Sequence, residues 1–306
     1  MIRKVSVMYN FVRSRQLEGS LSQGPEVGTW PITSARVMRG WGAPEESAWP
    51  YSARHWPPEE PPGLDAMAKE SRILAYQRIR DSRECKVALE SDYPVFAAFE
   101  ITNQWFSAAN GVIEDLSPGS TIGASHAVLI VGYDDEKGLF TFQNSWGLQW
   151  GDSGYGYLPY PYFNNHILEA WTYNISQGSR EGSDEPKILV TNWGVEDVLG
   201  GVLHGVELYD AKEDECIGWA FAVCRSGFLD IEDLYVRPAF QGFGYGNALA
   251  QMLSELMTYV GLPLRLWVPH ADMNRANLIR VERIAKRLSL KLTLSNVRWA
   301  SLKAVA

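Results

Sequence analysis

The chain has 306 residues, 46% of them hydrophobic and 12% aromatic, and carries a net charge of −8. That length exceeds what one hydrophobic core ordinarily supports, so two domains are expected, and the apolar content excludes disorder. No basic run or Lys/Arg stripe interleaved with aromatics occurs and no apolar stretch could span a bilayer, which argues against nucleic-acid and membrane partners.

The basic N-terminus lacks the apolar stretch of a secretory signal, and Cys85, Cys216 and Cys224 form no CxxC pair. A reduced, cytoplasmic protein with neither disulfide nor zinc site is expected. His55, His166, His204 and His270 have no ligand-spaced partners, so no metal centre is expected.

In chain order, a helix is expected over Val5 to Arg15 and a second over ITSARVMRGWG, where apolar residues recur at helical spacing. WPYSARHWPPEEPPG, rich in proline, must be an extended surface loop. RDSRECKVALES reads as an amphipathic helix and YPVFAAFEI as a β-branched and aromatic strand. SHAVLIVGYDDEKGLFTFQNSWG is a hairpin. QGSREGSDEP, small and polar, is the best linker in the chain, dividing domains at 1–176 and 187–306. Beyond it HGVELYD, CIGWAFAVC and FLDIEDLYV are strands, followed by a glycine-rich turn that opens a helix. LPLRLWV is a further strand, NRANLIRVERIAKRLS a helix, and the C-terminal LKLTLSNVRWASLKAV is strand-like. The expected class is α+β: a sheet half-domain with helices, then a mixed α/β sheet domain.

The hairpin places chemistry. With Tyr133 opposite Leu139 the antiparallel pairing sum is about 272, which makes His126 and Asn144 diagonal neighbours on one face. An asparagine carbonyl within reach of an imidazole can fix its tautomer and orientation, as in a nucleophile–base–orienter set. The words SHAVLIVGYDD and FQNSWGLQWGDSGYGYLPYPYF resemble the C-terminal half of papain-like cysteine peptidases, and the resemblance covers about residues 5–165. It implies that His126 is the general base and Asn144 its orienter. The family's nucleophile segment, of the QGxCGxCW type, does not occur in this sequence. Cys85, in its amphipathic helix, reads as a packing residue rather than a substitute. The papain-like part is therefore expected to bind peptide without cutting it.

The second constellation is LDIEDLYVRPAFQGFGYGNALAQMLSELM. A strand ending at Val236 feeds a loop, then Gln241, Gly242, Phe243, Gly244, Tyr245 and Gly246 at a helix start. Glycines allow close backbone approach, and the free N–H groups of a first helical turn favour an anion such as a pyrophosphate. No Gly-Lys-Ser/Thr follows, so it is not a Walker loop. With its flanks the stretch resembles motif A of the GNAT superfamily of acetyl-CoA-dependent N-acyltransferases, over about residues 200–306. The resemblance implies acetyl-CoA as co-substrate, held by the amides of residues 241–246, with the main chain of Leu234, Tyr235 and Val236 along the pantetheine arm. Asn277 falls at the family's asparagine position. Glu232 or Asp233 is a candidate base, and by strand alternation only one of them faces the cleft. Either one can equally be a solvated strand carboxylate. The family's acidic tyrosine is missing from ANLIRVERIAKRLS.

Residues 185–203 are too short for the helices that normally wall the acceptor site, so the papain-like half is expected to supply that wall. The leading expectation is acyl transfer from acetyl-CoA to a peptide or protein amine. A cysteine peptidase whose nucleophile segment is missing from this chain, and a non-catalytic binder of CoA and peptide, are the alternatives.

Overall fold

The computed structural model describes residues 4–52, 56–114, 123–174, 188–196, 202–210, 215–266, 282–283, 286, 290–295 and 299–304. The chain opens with α1 (Val7–Leu17), α2 (Pro31–Gly40) and α3 (Leu64–Ala68). Ser6 starts α1 by accepting the Tyr9 amide at 3.1 Å while its hydroxyl donates to the Trp49 carbonyl at 2.6 Å. Proline at the first position of α2 suits a turn whose N–H groups have no helical partner.

Next come β1 (Ala75–Arg78), α4 (Ser82–Glu90), β2 (Val95–Ile101), β3 (Ala124–Asp134), β4 (Leu139–Gln143), β5 (Tyr155–Pro159), α5 (Tyr160–His166) and β6 (Ile167–Asn174). Their strands form one sheet in the order β1-β6-β2-β3-β4-β5. Trp105, fully buried, is central to its core: its ring packs against Phe99, Phe142 and Tyr162. Its indole donates to the Tyr162 hydroxyl at 3.0 Å, and its carbonyl accepts the Trp150 indole at 2.7 Å. Both polar ends of two large rings are thereby satisfied inside the core.

The third group is β7 (Ile188–Glu196), β8 (Val202–Asp210), β9 (Glu215–Arg225), β10 (Phe228–Val236), α6 (Tyr245–Val260) and β11 (Leu264–Leu266), with a hairpin of β12 (Leu290–Ser295) and β13 (Trp299–Ala304). The sheet order is β11-β10-β9-β8-β7, antiparallel throughout except for the parallel β10–β11 pair. Leu249, Ala250 and Leu253 of α6 close one face over Val206, Leu208, Ala220, Ala222 and Ile231. The class is α+β, as expected.

The compact units divide the chain differently from a single domain over 1–176. One unit is 76–174, and the other joins 1–75 to 175–306. The physical reason is α2, which lies against the second face of the β8–β10 sheet. Glu207, Trp219 and Tyr235 are cross-strand neighbours on that face. A methyl group added at Gly40 would meet the Trp219 ring at 3.3 Å, and the Arg237 guanidinium stands 4.3 Å from the Trp41 ring centroid. The linker expected at 177–186 and most of the helix expected at 274–289 lie outside the described residues.

Candidate functional site

In the 76–174 unit, β3 and β4 form the expected hairpin with one irregularity. Tyr133 faces Phe140 rather than Leu139, and a register shift between Ile130 and Gly132 restores Leu129 opposite Gln143. A β-bulge at Val131 accounts for the offset. Beyond it the sum is 272, and His126 and Asn144 meet: His126 Nε2 lies 2.8 Å from Asn144 Oδ1. The same Oδ1 accepts the Ser145 amide at 2.7 Å, which fixes the side-chain amide's orientation. The imidazole therefore carries its proton on Nε2 and presents Nδ1 as the lone pair. Trp146 stacks on the imidazole at 4.4 Å, Phe106 stacks on Trp146 at 4.9 Å, and Trp105 meets the ring edge-on at 6.2 Å. Burial pushes the His126 pKa below its ordinary value, and the Asn144 hydrogen bond only partly opposes this. A neutral imidazole with a fixed tautomer is a competent general base.

Cys85 is fully buried in α4, and burial together with nearby Asp81 raises its thiol well above the ordinary range. It is a packing residue, as expected. Cys216 is buried in β9, and Cys224 on the same strand is half-buried with a raised pKa. Desolvation, the principal cause at Cys224, disfavours thiolate, the nucleophilic form.

In the other unit, β10 ends at Val236 and a single 3-10 turn, Pro238–Phe240, leads into the glycine loop. Gln241 braces this loop: its Nε2 donates to the Val236 carbonyl at 2.9 Å and its own amide to Pro238 at 3.2 Å. Its amide is thus occupied, which narrows the expected cradle from 241–246 to 242–246. Gly242 and Gly244 have φ of 91° and 89°, the left-handed region that favours glycine, and among the described residues nothing beyond the chain neighbours lies within 4 Å of where a Cβ at either would stand. Gly244 caps α6 without a side-chain bond, and the amides of Gly242, Phe243, Gly244, Tyr245 and Gly246 have no hydrogen-bond partner among the described residues. Phe243 is exposed. A row of bare N–H groups at the start of a 16-residue helix is an anion site in electrostatic terms. The described β10–β11 ladder covers Leu229 to Ile231, and β10 runs on through Leu234, Tyr235 and Val236.

The two candidate bases are placed differently from the expectation. The β9–β10 register shifts between Ile231 and Asp233, so simple alternation does not hold there. Glu232 is fully buried with its carboxylate 2.8 Å from Arg225 Nη1, and Asp233 is buried against Arg36. Both are held in buried ion pairs and neither is a solvated strand carboxylate. Sequence reasoning missed both arginines: Arg36 on α2 is 197 residues from Asp233, and Arg225 meets Glu232 across the β9–β10 turn, a pairing that no motif marks. Asn277 lies outside the described residues. Among the described residues no cluster of potential metal ligands occurs, and no helix is long and apolar enough to cross a membrane.

Comparison with known proteins matches residues 21–169 to the papain family of cysteine proteases and residues 162–281 to the GNAT acetyltransferase family. A peptidase C1-like protein of Acanthamoeba polyphaga mimivirus is 24% identical over 177 residues, 54% of this chain and 56% of that protein. An aleurain-like thiol protease of Arabidopsis thaliana is 31% identical over 125 residues, 37% of this chain and 32% of that one. The chain thus spans about half or less of the length of these relatives. The crystal structure of xylellain, a cysteine protease from Xylella fastidiosa, superposes with a TM-score of 0.50 at 27% identity, covering 56% of this chain and 70% of that one. The chain thus joins a papain-like segment, matched over 21–169, to a GNAT-like segment, matched over 162–281.

Proposed function

We propose that the chain is an acyl-CoA-dependent N-acyltransferase acting on an amine, with acetyl-CoA as the donor. The observation that carries this reading is the row of bare amides from Gly242 to Gly246 at the start of α6, on a backbone that only glycine adopts easily. Those amides would receive the CoA pyrophosphate, and the main chain of Leu234–Val236 would accompany the pantetheine arm. The acyl carbon bonds to the amine nitrogen as the thioester C–S bond breaks and CoA leaves as thiolate. Glu232 and Asp233, the candidates for the base that takes the ammonium proton, are each paired with an arginine.

Calorimetry with acetyl-CoA, followed by thiol release on offering peptide amines, tests the proposal. Binding with turnover supports it. Binding without turnover makes the domain a CoA sensor, and no binding removes the reading.

For the papain-like part we infer peptide binding without cleavage by this chain. His126 and Asn144 form a base and its orienter, while the three thiols are buried or half-buried in α4 and β9. Cleavage of a fluorogenic peptide by the purified chain, abolished in H126A, would replace this with the peptidase reading.

A further inference from the structure

Two arginines one turn apart on α2 reach two different strands of the transferase sheet. Arg36 grips Asp233 on β10 through a fork, Nε to Oδ2 at 3.0 Å and Nη2 to Oδ1 at 2.7 Å, with both side chains buried. Its guanidinium also stands 4.6 Å from the centroid of the Tyr235 ring. Asp233 and Tyr235 flank Leu234, so one side chain holds β10 on either side of the first residue expected along the pantetheine arm. Arg39 lies 2.8 Å from Glu207 on β8 and stands over Trp219 on β9 at 5.6 Å. It anchors the same helix to the same sheet through β8 and β9.

The bulge gives the Arg36 contact its leverage. Register with β9 shifts between Ile231 and Asp233, so the ladder before the bulge does not dictate the course of the strand after it. The ladder with β9 resumes over Asp233–Val236, and Arg36 grips two residues of that resumed stretch, Asp233 and Tyr235. A planar fork on a carboxylate sets orientation as well as distance, which a single ammonium cannot do.

We propose that Arg36 is a positioning residue for acyl-CoA binding: a side chain of the papain-like segment, acting with the resumed β9 ladder, braces β10 beyond its bulge and with it the strand and glycine turn that receive the donor. The inference rests on the acetyl-CoA reading above.

The test uses the full 306-residue chain, with acetyl-CoA affinity by calorimetry and thermal unfolding for R36K, R39K and D233N. R36K keeps the charge and loses the fork, and is expected to raise the acetyl-CoA Kd about tenfold. R39K loosens the same helix with a comparable fall in Tm, and is expected to leave the Kd within about twofold. Equal weakening in both would reduce Arg36 to a structural tie and overturn the inference, as would an unchanged Kd in R36K. Should R36K not fold, D233N carries the same expectation, and an unchanged Kd there overturns it equally. Failure of the native chain to bind acetyl-CoA overturns the underlying reading together with this one. Native binding that survives R36K overturns this one alone.

Discussion

Asn144 Oδ1 serves two donors at once, His126 Nε2 at 2.8 Å and the Ser145 amide at 2.7 Å. The backbone bond holds the carboxamide one way round, so the imidazole tautomer is decided by the main chain two steps removed. Burial lowers the His126 pKa and the Asn144 bond opposes it, so N144A is expected to lower that pKa further. Ring-proton NMR titration of both proteins measures this, and a value that rises in N144A would contradict it.

The same burial predicts a direction for stability. His126 binds protons less readily folded than unfolded, so its contribution is present above the ordinary value of 6.5 and is lost as pH falls through the folded pKa. Unfolding free energy should therefore decline below about pH 6.5, and H126Q should flatten that decline. Urea titrations at several pH values compare the two slopes.

Cysteine accessibility should separate the three thiols. Cys85 and Cys216 are buried and Cys224 is half-buried, so brief native alkylation is expected to label Cys224 first. Mass spectrometry of the digested protein reads the order. Rapid labelling of Cys85 would mean that α4 opens locally, which would weaken the case for Cys85 as a core residue.

Gly244 sits at φ 89° with open space where a Cβ would stand, so G244A meets no clash and costs only backbone strain, about 1–2 kcal/mol. If the strain is relieved by turning the amides away, the acetyl-CoA Kd should rise at least roughly tenfold while the protein remains folded. Calorimetry alongside thermal unfolding distinguishes lost binding from lost structure.

A fragment starting at Ile188 would lack α2 and leave Asp233 and Glu207 without the arginines that meet them. Removing one side of a buried ion pair costs about 3–5 kcal/mol, so the fragment should unfold or aggregate where the whole chain is stable. Circular dichroism and gel filtration settle it, and a stable fragment with full transfer activity would show that α2 is dispensable.

Sequence carried the two sites further than it carried their surroundings. Period-two alternation and a short turn sufficed to bring His126 to Asn144, because strand pairing is local and the bulge at Val131, between the turn and the pair, cancels the one-residue offset at the turn. The glycine turn was equally legible, since positive φ needs particular residues. The surroundings of Glu232 and Asp233 were not legible, for two reasons. A bulge interrupts the alternation on which the reading relied, and no local pattern marks either ion pair, Asp233 to Arg36 across 197 residues or Glu232 to Arg225 across the β9–β10 turn. Composition likewise hid that Trp219 and Tyr235 form a floor for a helix more than 170 residues upstream.

The seating of α2 has a consequence for how the molecule breathes. Its amides belong by similarity to the protease family but by packing to the transferase sheet. In native-state hydrogen exchange, α2 should open together with β8–β10, at the same free energy, rather than with the strands around His126. A ligand that stabilises the glycine turn would then slow exchange in a helix from the other family's sequence.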